Sequence, residues 1–366
     1  MRLARPDSPS ISTIIVNYNG CQYLDDCLSS LARQTCQDFE TILVDNGSSD
    51  GSVHFIQENY PEVRLIKNET NRGFCGGNND GISAARGDFV FLLNNDTVID
   101  PECMTILSEG LKELPSDCLG VFPKVLFHGA PSFINAAGCV WNYSSFWRDI
   151  RVGLLDVDQY QDPEPVFGSI FAAVLLKKEP FEQINLFDED FFTYGEDFDV
   201  CYRAHVLGYS FYMIPKAVIY HKYRGSSRED RDPLWAYYYF LRNYYFMLFK
   251  NLSGEMLWRR RKSVVHFFLA NLYWALQQRD LKRVRLAVKV LNSLVRHAPA
   301  LIRKRRWIQT RRKQPDSAFW DFSERENHNI FHYCGWPVLS LLNLKTALEK
   351  GCRYKIGAGK EYLAGP

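Results

Sequence analysis

Short β-branched runs alternate with amphipathic stretches along the first hundred residues, and this alternation limits the fold more than any other feature of the chain. Residues 11–16 read as a strand. Residues 23–34 read as a helix, with Leu24, Cys27, Leu28 and Leu31 at helical spacing. Strands are then expected at 39–44, 63–66 and 89–93, with helices at 51–60 and 75–85 between them. Strand and helix in alternation imply an α/β fold with a mostly parallel central sheet covered on both faces. In open sheets of this kind, ligands bind beyond the carboxyl ends of the strands.

The segments that follow the strands are therefore the informative ones. They read Asn17-Tyr18-Asn19-Gly20, Asp45-Asn46-Gly47-Ser48-Ser49-Asp50-Gly51, Asn68-Glu69-Thr70-Asn71-Arg72-Gly73 and Asn94-Asn95-Asp96. Any one of them could be an ordinary turn, since Asn, Asp, Gly and Ser dominate turns. Four such loops converging on one crevice make a site. A second candidate lies in the acidic-aromatic run 187–199. A helix is expected to start near Glu196, because acidic residues suit a first turn and Val200, Ala204 and Leu207 follow at helical spacing. Gly208 would end it, and extended segments 209–215 and 217–221 lead to His221. Residues 116–176 show aromatics and short strand-like runs suited to shaping a pocket.

Charge divides the chain of 366 residues, whose net charge is only +2. Residues 230–314 hold 20 Lys/Arg against 4 Asp/Glu, a local balance of +16, while the remainder holds 24 against 38, or −14. A basic arm on an acidic body favours an anionic partner. Within it, Leu281, Val284, Val288, Leu291 and Val295 form an apolar helical stripe flanked by Lys282, Arg285, Lys289 and Arg296. That pattern, beside aromatic-rich neighbours, suits an anionic membrane surface. A helical hairpin packed on the rest of the chain or on a second copy (a homodimer) is the other reading. The ten cysteines form no CxxC pair or regular framework, and no signal peptide or spanning segment is evident. The expected location is cytoplasmic, with peripheral attachment at the cytoplasmic face of the membrane. The expected division is a catalytic domain over 1–230, a basic helical extension over 231–314, and a tail over 315–366 for which no role is read.

Residues from about 10 to 227 resemble the inverting GT-A glycosyltransferases of family 2, and most of all their rhamnosyltransferase-like branch in bacterial surface polysaccharide synthesis. The resemblance rests on Ile14-Ile15-Val16-Asn17-Tyr18-Asn19, Val44 to Gly51, Asn71 to Asn79, Leu93-Asn94-Asn95-Asp96-Thr97, Gly195-Glu196-Asp197-Phe198-Asp199 and His221, in that order. It implies a nucleotide-sugar donor, dTDP-rhamnose or a UDP-hexose, and a glycan or lipid-linked acceptor. It marks Asn94-Asn95-Asp96 as the Asp-x-Asp metal motif with an amide in the first place. It makes His221 the second metal ligand, Asp45 the carboxylate that recognises the nucleotide, and Asp197 the catalytic base, with Glu196 orienting the acceptor.

The chemistry of the residues agrees. A sugar diphosphate needs a cation, and Asp96, just past an apolar strand, is a hard oxygen ligand suited to Mg²⁺ or Mn²⁺. Asn94 is a poorer ligand and would act through water or the ribose, with Asn95 beside it. Asn17 and Asn19 would shape the nucleoside pocket. Arg72 and Gly73, followed by Gly76-Gly77, offer a guanidinium and close backbone approach to phosphate. An acceptor hydroxyl needs a base, and neighbouring acids such as Glu196 and Asp197 push one pKa upward. Asp199 is expected to hold the helix or Arg203 instead. Arg303-Lys304-Arg305-Arg306-Trp307 fits the [Gln/Arg]-x-x-Arg-Trp signature of processive synthases, but within a basic run such a match arises by chance, so the enzyme is read as non-processive. Two other functions remain open at this point. One is a nucleotide-sugar-binding protein without catalysis, for which Asn94 is the best support. The other is a nucleic-acid-binding protein built on the arm, which would leave Asp45, Asp96 and Asp197 without a purpose.

Overall fold

The computed structural model describes residue 3 and residues 6–141, 147–222, 233–319, 353–356 and 360–363. Its first part follows the expected alternation: β1 (Ile11–Asn17), α1 (Cys21–Ala32), β2 (Phe39–Asp45), α2 (Ser52–Asn59), β3 (Arg64–Lys67), α3 (Gly73–Ala84) and β4 (Phe89–Asn94). These strands pair in parallel in the order β4-β1-β2-β3. Period-two alternation sends their side chains to opposite faces. Ile14, Ile42, Val44, Val90 and Leu92 enter one core, where Cys75 and Ile82 of α3 cover them. Ile15, Leu43, Phe91 and Leu93 enter the other, beneath Leu24, Leu28 and Leu31 of α1. Each such aliphatic side chain, fully buried, contributes about 1.5–3 kcal/mol. Helix α3 lies close on the sheet because Gly81 has no Cβ to strike the Ile14 side chain.

Beyond β4 the sheet becomes mixed. The further elements are β5 (Thr97–Ile99), α4 (Cys103–Glu113), β6 (Cys118–Phe127), β7 (Ala130–Ala136), β8 (Cys139–Trp141), β9 (Trp147–Asp149), β10 (Glu164–Val166), β11 (Ala173–Lys177), α5 (Lys178–Gln183), α6 (Glu196–Val206) and β12 (Ser210–His221). Strand β11 runs antiparallel to both β4 and β6, and β12 runs parallel to β6. Two reversals restore direction, so β6 and β12 point the same way as β1, β2 and β4. The carboxyl end of β12, at His221, therefore lies on the same sheet edge as Asn17, Asp45 and Asn94. The two extended segments expected over 209–221 are one strand, with a register shift between Ile214 and Val218. The expected helix from Glu196 is α6, closed at Gly208 with φ +89.

The basic arm forms three helices, α7 (Pro233–Asn251), α8 (Gly254–Gln277) and α9 (Leu281–Arg311). Helix α7 packs against α6, against the one-turn 3₁₀ helix Glu189–Phe191, and against α9. Here the structure separates the two readings of the stripe on α9. The stripe Leu281, Val288, Leu291 and Val295 faces outward, with Val295 74% exposed, and Val284 is half-buried. The packed face of α9 is instead Leu286, Ala287, Val290, Ser293, Leu301 and Ile308. Helix α8 likewise exposes Trp258, Val265, Leu269 and Tyr273 at helical spacing. The extension thus has an inner face that packs and a separate outer apolar face. No helix among the described residues is long and apolar enough to cross a membrane. Cys21, Cys27, Cys36, Cys75, Cys103, Cys118, Cys139 and Cys201 are free thiols. The expected boundary near residue 230 lies outside the described residues, as does residue 320 onward apart from two short strands, Arg353–Ile356 and Lys360–Leu363, that pair antiparallel.

Candidate active site

Three strand ends form a buried polar network. Asn17 Nδ2 donates to Asp45 Oδ1 at 3.1 Å and to Ser48 Oγ at 3.2 Å, while its Oδ1 accepts from Asn95 Nδ2 at 2.7 Å. The second Asp45 oxygen accepts from the Ser48 backbone N–H at 2.9 Å. Parallel pairing sets this up, because Asn17 stands in register with Asp45 and Val16 with Asn94. Asn19, in the left-handed region at φ +52, accepts from the Ser49 N–H. Asn46 reaches across to the carbonyl of Gly73 at 2.9 Å, joining the network to the start of α3. Six side chains and backbone groups thus hold one another in a fixed geometry at the mouth of the crevice.

Asn95 and Asp96 form the turn between β4 and β5. Strand β5 crosses to pair with β12, placing Thr97 opposite His221. Asp96 is buried, and its Oδ1 lies 3.3 Å from His221 Nε2. The other ring nitrogen meets Asn135 Oδ1 at 3.0 Å. An amide oxygen can only accept, so Nδ1 carries the proton there. In the neutral ring this turns the Nε2 lone pair toward a carboxylate oxygen. Such an N,O pair fits a divalent cation between or beside the two groups. Among the described residues no group of three or more His, Cys, Asp or Glu side chains clusters to hold a metal. Asn94, half-buried at the end of β4, uses its backbone rather than its side chain in the bonds to Ala172, Cys27 and Thr97.

The acidic pair stands at the first turn of α6. Helix α6 turns back through Gly208 into β12, so its amino end points to the same sheet edge as His221. Glu196 is buried, 8% exposed, whereas Asp197 is half-exposed. Burial, and then the charges of Asp197 and Asp199, push the Glu196 carboxyl well above the usual carboxylate range. One Glu196 oxygen has no hydrogen-bond partner among the described residues. Asp199 turns inward to Arg203, at 3.2 Å, and to Lys250 and Asn251 of α7. Arg72 is held by Asp80 and, at 2.9 Å, by Glu189, which together outweigh the effect of its partial burial and raise its pKa. Its cation borders the site already paired. Gly73 has φ +71, and a Cβ there would collide with the carbonyl of Phe192, in the loop leading to Glu196.

Residues 12–135 match the sequence profile of glycosyl transferase family 2. The glycosyltransferase GlyG of Streptococcus pneumoniae is 26% identical over 242 residues, spanning 63% of this chain and 76% of that protein. The N-acetylglucosaminyl-diphospho-decaprenol L-rhamnosyltransferase of Mycobacterium tuberculosis is 25% identical over 255 residues, spanning 62% and 81%. Among solved structures, GalNAc-T7 with UDP, GalNAc and Mn²⁺ superposes with a TM-score of 0.55 at 18% identity, over 69% of this chain and 49% of that one. The chain carries a family 2 glycosyltransferase domain. Its mixed sheet has the GT-A architecture.

Several residues of this glycosyltransferase were not singled out from sequence. Ser48 sits inside a quoted motif, but its hydroxyl binds two strands together only in the fold. Asn135 lies in a strand of the poorly legible middle section, and nothing local marks it as the partner of His221. Arg242 and Asn243 did leave a signal, a polar pair within the aromatic run of α7. Their targets are described below.

Proposed function

We propose that the protein is an inverting, non-processive glycosyltransferase that moves a sugar from a nucleotide carrier to a hydroxyl of a lipid-linked glycan. The observation that carries this reading is Asp96 facing His221 Nε2 at 3.3 Å, on the sheet edge where the Asn17–Asp45–Asn95 network also ends. Asp45, Asn17 and Asn19 receive the nucleoside, with Asn94 and Asn95 beside the ribose. Arg72 and the start of α3 at Gly73 border the diphosphate. Asp96 and His221 hold Mg²⁺ or Mn²⁺, and the ion, when bound, stabilises the charge of the departing diphosphate. Asp197, the accessible carboxylate, takes the acceptor proton. Glu196, whose carboxyl is pushed well above the usual range by burial and by its neighbour's charge, orients the acceptor. A single displacement inverts the anomeric centre.

The rhamnosyltransferase among the relatives supports dTDP-rhamnose as the first donor to test, with UDP-hexoses as the alternative. Its diphospho-decaprenol acceptor supports a lipid-linked partner. A catalytic unit to about residue 230, followed by a helical extension, is the proposed division. The outer face of α8 and α9 is proposed to meet an anionic membrane on its cytoplasmic side. Lys262 flanks the α8 stripe, and Arg285, Lys289 and Arg296 flank the α9 stripe. A homodimer is the competing occupant of that face.

The test is a panel of sugar nucleotides with Mn²⁺ or Mg²⁺, scored for nucleotide release with and without a polyprenyl-diphosphate-linked acceptor. Turnover is expected with one donor, lost on chelation, and reduced about 10³-fold or more by Asp96→Ala and by Asp197→Asn in folded protein. Silence across the whole panel would sink the reading.

A further inference from the structure

The loop before the acidic pair has an unusual backbone. Phe192 has φ 66 and ψ −62, a tight positive-φ turn that a bulky residue rarely adopts. Tyr194 has φ +67 and Gly195 φ +85. Phe192 and Tyr194, two bulky residues at positive φ within three positions, persist only where surrounding groups over-determine them. On one side, the carbonyl of Phe192 accepts from the Cys75 N–H at the start of α3. On the other stands α7. Asn243, fully buried, directs its Nδ2 at the carbonyls of Phe191, Thr193 and Tyr194 at 2.9, 2.8 and 2.6 Å. Arg242 Nη2 donates to the carbonyls of Asp190 and Phe191 at 2.6 and 2.8 Å. Arg242 Nε also donates to Asn243 Oδ1 at 2.9 Å, which orients the amide with its N–H groups toward the loop. The guanidinium is itself braced over the rings of Tyr239 and Phe246.

We infer that Asn243, oriented by Arg242, is the positioning residue of the catalytic base: it clamps residues 190–195 in the shape that aims Asp197 at the acceptor hydroxyl. This rests on the proposed role of Asp197. It assigns the helical extension a part in the chemical step, through one amide that the family-matched residues 12–135 do not contain. A buried amide that serves the carbonyls of Phe191, Thr193 and Tyr194 does more than fill space, because an apolar residue of the same volume would take this donor from Thr193 and Tyr194 and leave Phe191 to Arg242 and the Thr193 N–H. Neither residue touches the strand-end network that receives the nucleoside, and the clamped loop meets the donor side through the Phe192 carbonyl at Cys75, so their loss is expected to lower turnover far more than donor binding.

The experiment compares Asn243→Leu, Asn243→Ser, Arg242→Lys and Asp197→Asn in the full chain. Nucleotide release is measured with the donor that scores in the panel, and affinity is measured with dTDP or UDP plus Mn²⁺. Asn243→Leu is expected to fold, to bind nucleotide within about threefold of the parent, and to lose about 100-fold in kcat, the scale of a misplacement near 1 Å. Asn243→Ser, which keeps one donor, recovers part of that loss. Arg242→Lys keeps the cation over the rings but frees the amide; it gives an intermediate kcat and serves as the readout where Asn243→Leu fails to fold. Retained kcat in folded Asn243→Leu or Arg242→Lys, or a nucleotide Kd that weakens in step with kcat, overturns the inference. If Asp197→Asn is inactive while the α7 variants are not, the base stands and the clamp falls. If Asp197→Asn itself turns over normally, both fall.

Discussion

The parallel half of the sheet and the helical extension reach order by different means. In β1, β2 and β4 every apolar side chain enters a core set by simple alternation, and the polar residues of the site, Asn17, Asp45 and Asn94, stand at the carboxyl ends, where topology makes them neighbours. In the extension the polar groups are internal. Lys250, 2% exposed, is paired with Asp188 and, at 3.1 Å, with Asp199, while Lys304 reaches Asp188 and Asp190 at 2.5 and 2.6 Å. Burial alone would raise the Asp188 carboxyl, but the charges of Lys250 and Lys304 overcome it and hold it below the usual range. The lesson is that the extension is joined to the loop and helix of the base by buried charge, whereas the strand-end site is assembled by backbone register.

That contrast can be broken most severely at Lys250. Lys250→Met leaves Asp188 and Asp199 short of a buried partner and is expected to cost about 3–5 kcal/mol in urea unfolding. A loss under about 1 kcal/mol would mean that the extension is a separable appendage. On the sheet side, Gly73→Ala forces a side chain into a positive-φ position and against a backbone carbonyl. It is expected to cost about 2 kcal/mol or more by thermal unfolding and to lower turnover, since the Phe192 loop must shift.

Glu196→Gln should act in the opposite direction. A carboxyl with its folded pKa raised binds a proton that the unfolded chain releases, so its contribution is full below about pH 4 and declines as pH rises through the folded value. The amide should therefore raise Tm by a few degrees at pH 7.5 and change little at pH 4. Equal effects at both pH values would contradict the assigned burial cause. The smallest stability change, within about 0.5 kcal/mol, is expected for Val288→Ser with Leu291→Ser on the outer face of α9. The same pair should weaken co-sedimentation with vesicles containing phosphatidylglycerol, more so at high salt. Unchanged vesicle binding with a loss of dimer in sedimentation would assign that face to a second copy.

The strands and helices to residue 94 were legible because their periodicity is local, and Asn17, Asp45 and Asp96 were legible because each directly follows or ends a strand. The pairing of Asp199 with Arg203 could also be read, as an i,i+4 relation on one helix. The outward face of α9 was not, since Leu281, Val288, Leu291 and Val295 have the same spacing whether they pack or not. The partner of His221 was hidden for another reason: Asn135 is 86 residues away in sequence.

The sequence alone determined which residues sit at strand ends and helix starts, because that depends on the order of short-range patterns. Only the tertiary structure decided what each of them touches: His221 beside Asp96 through the crossing of β5, and Asn243 beneath the loop of the acidic pair through the docking of α7. Both depend on contacts between distant segments, whose geometry is set by packing of the whole sheet and not by the spacing of residues along any one element.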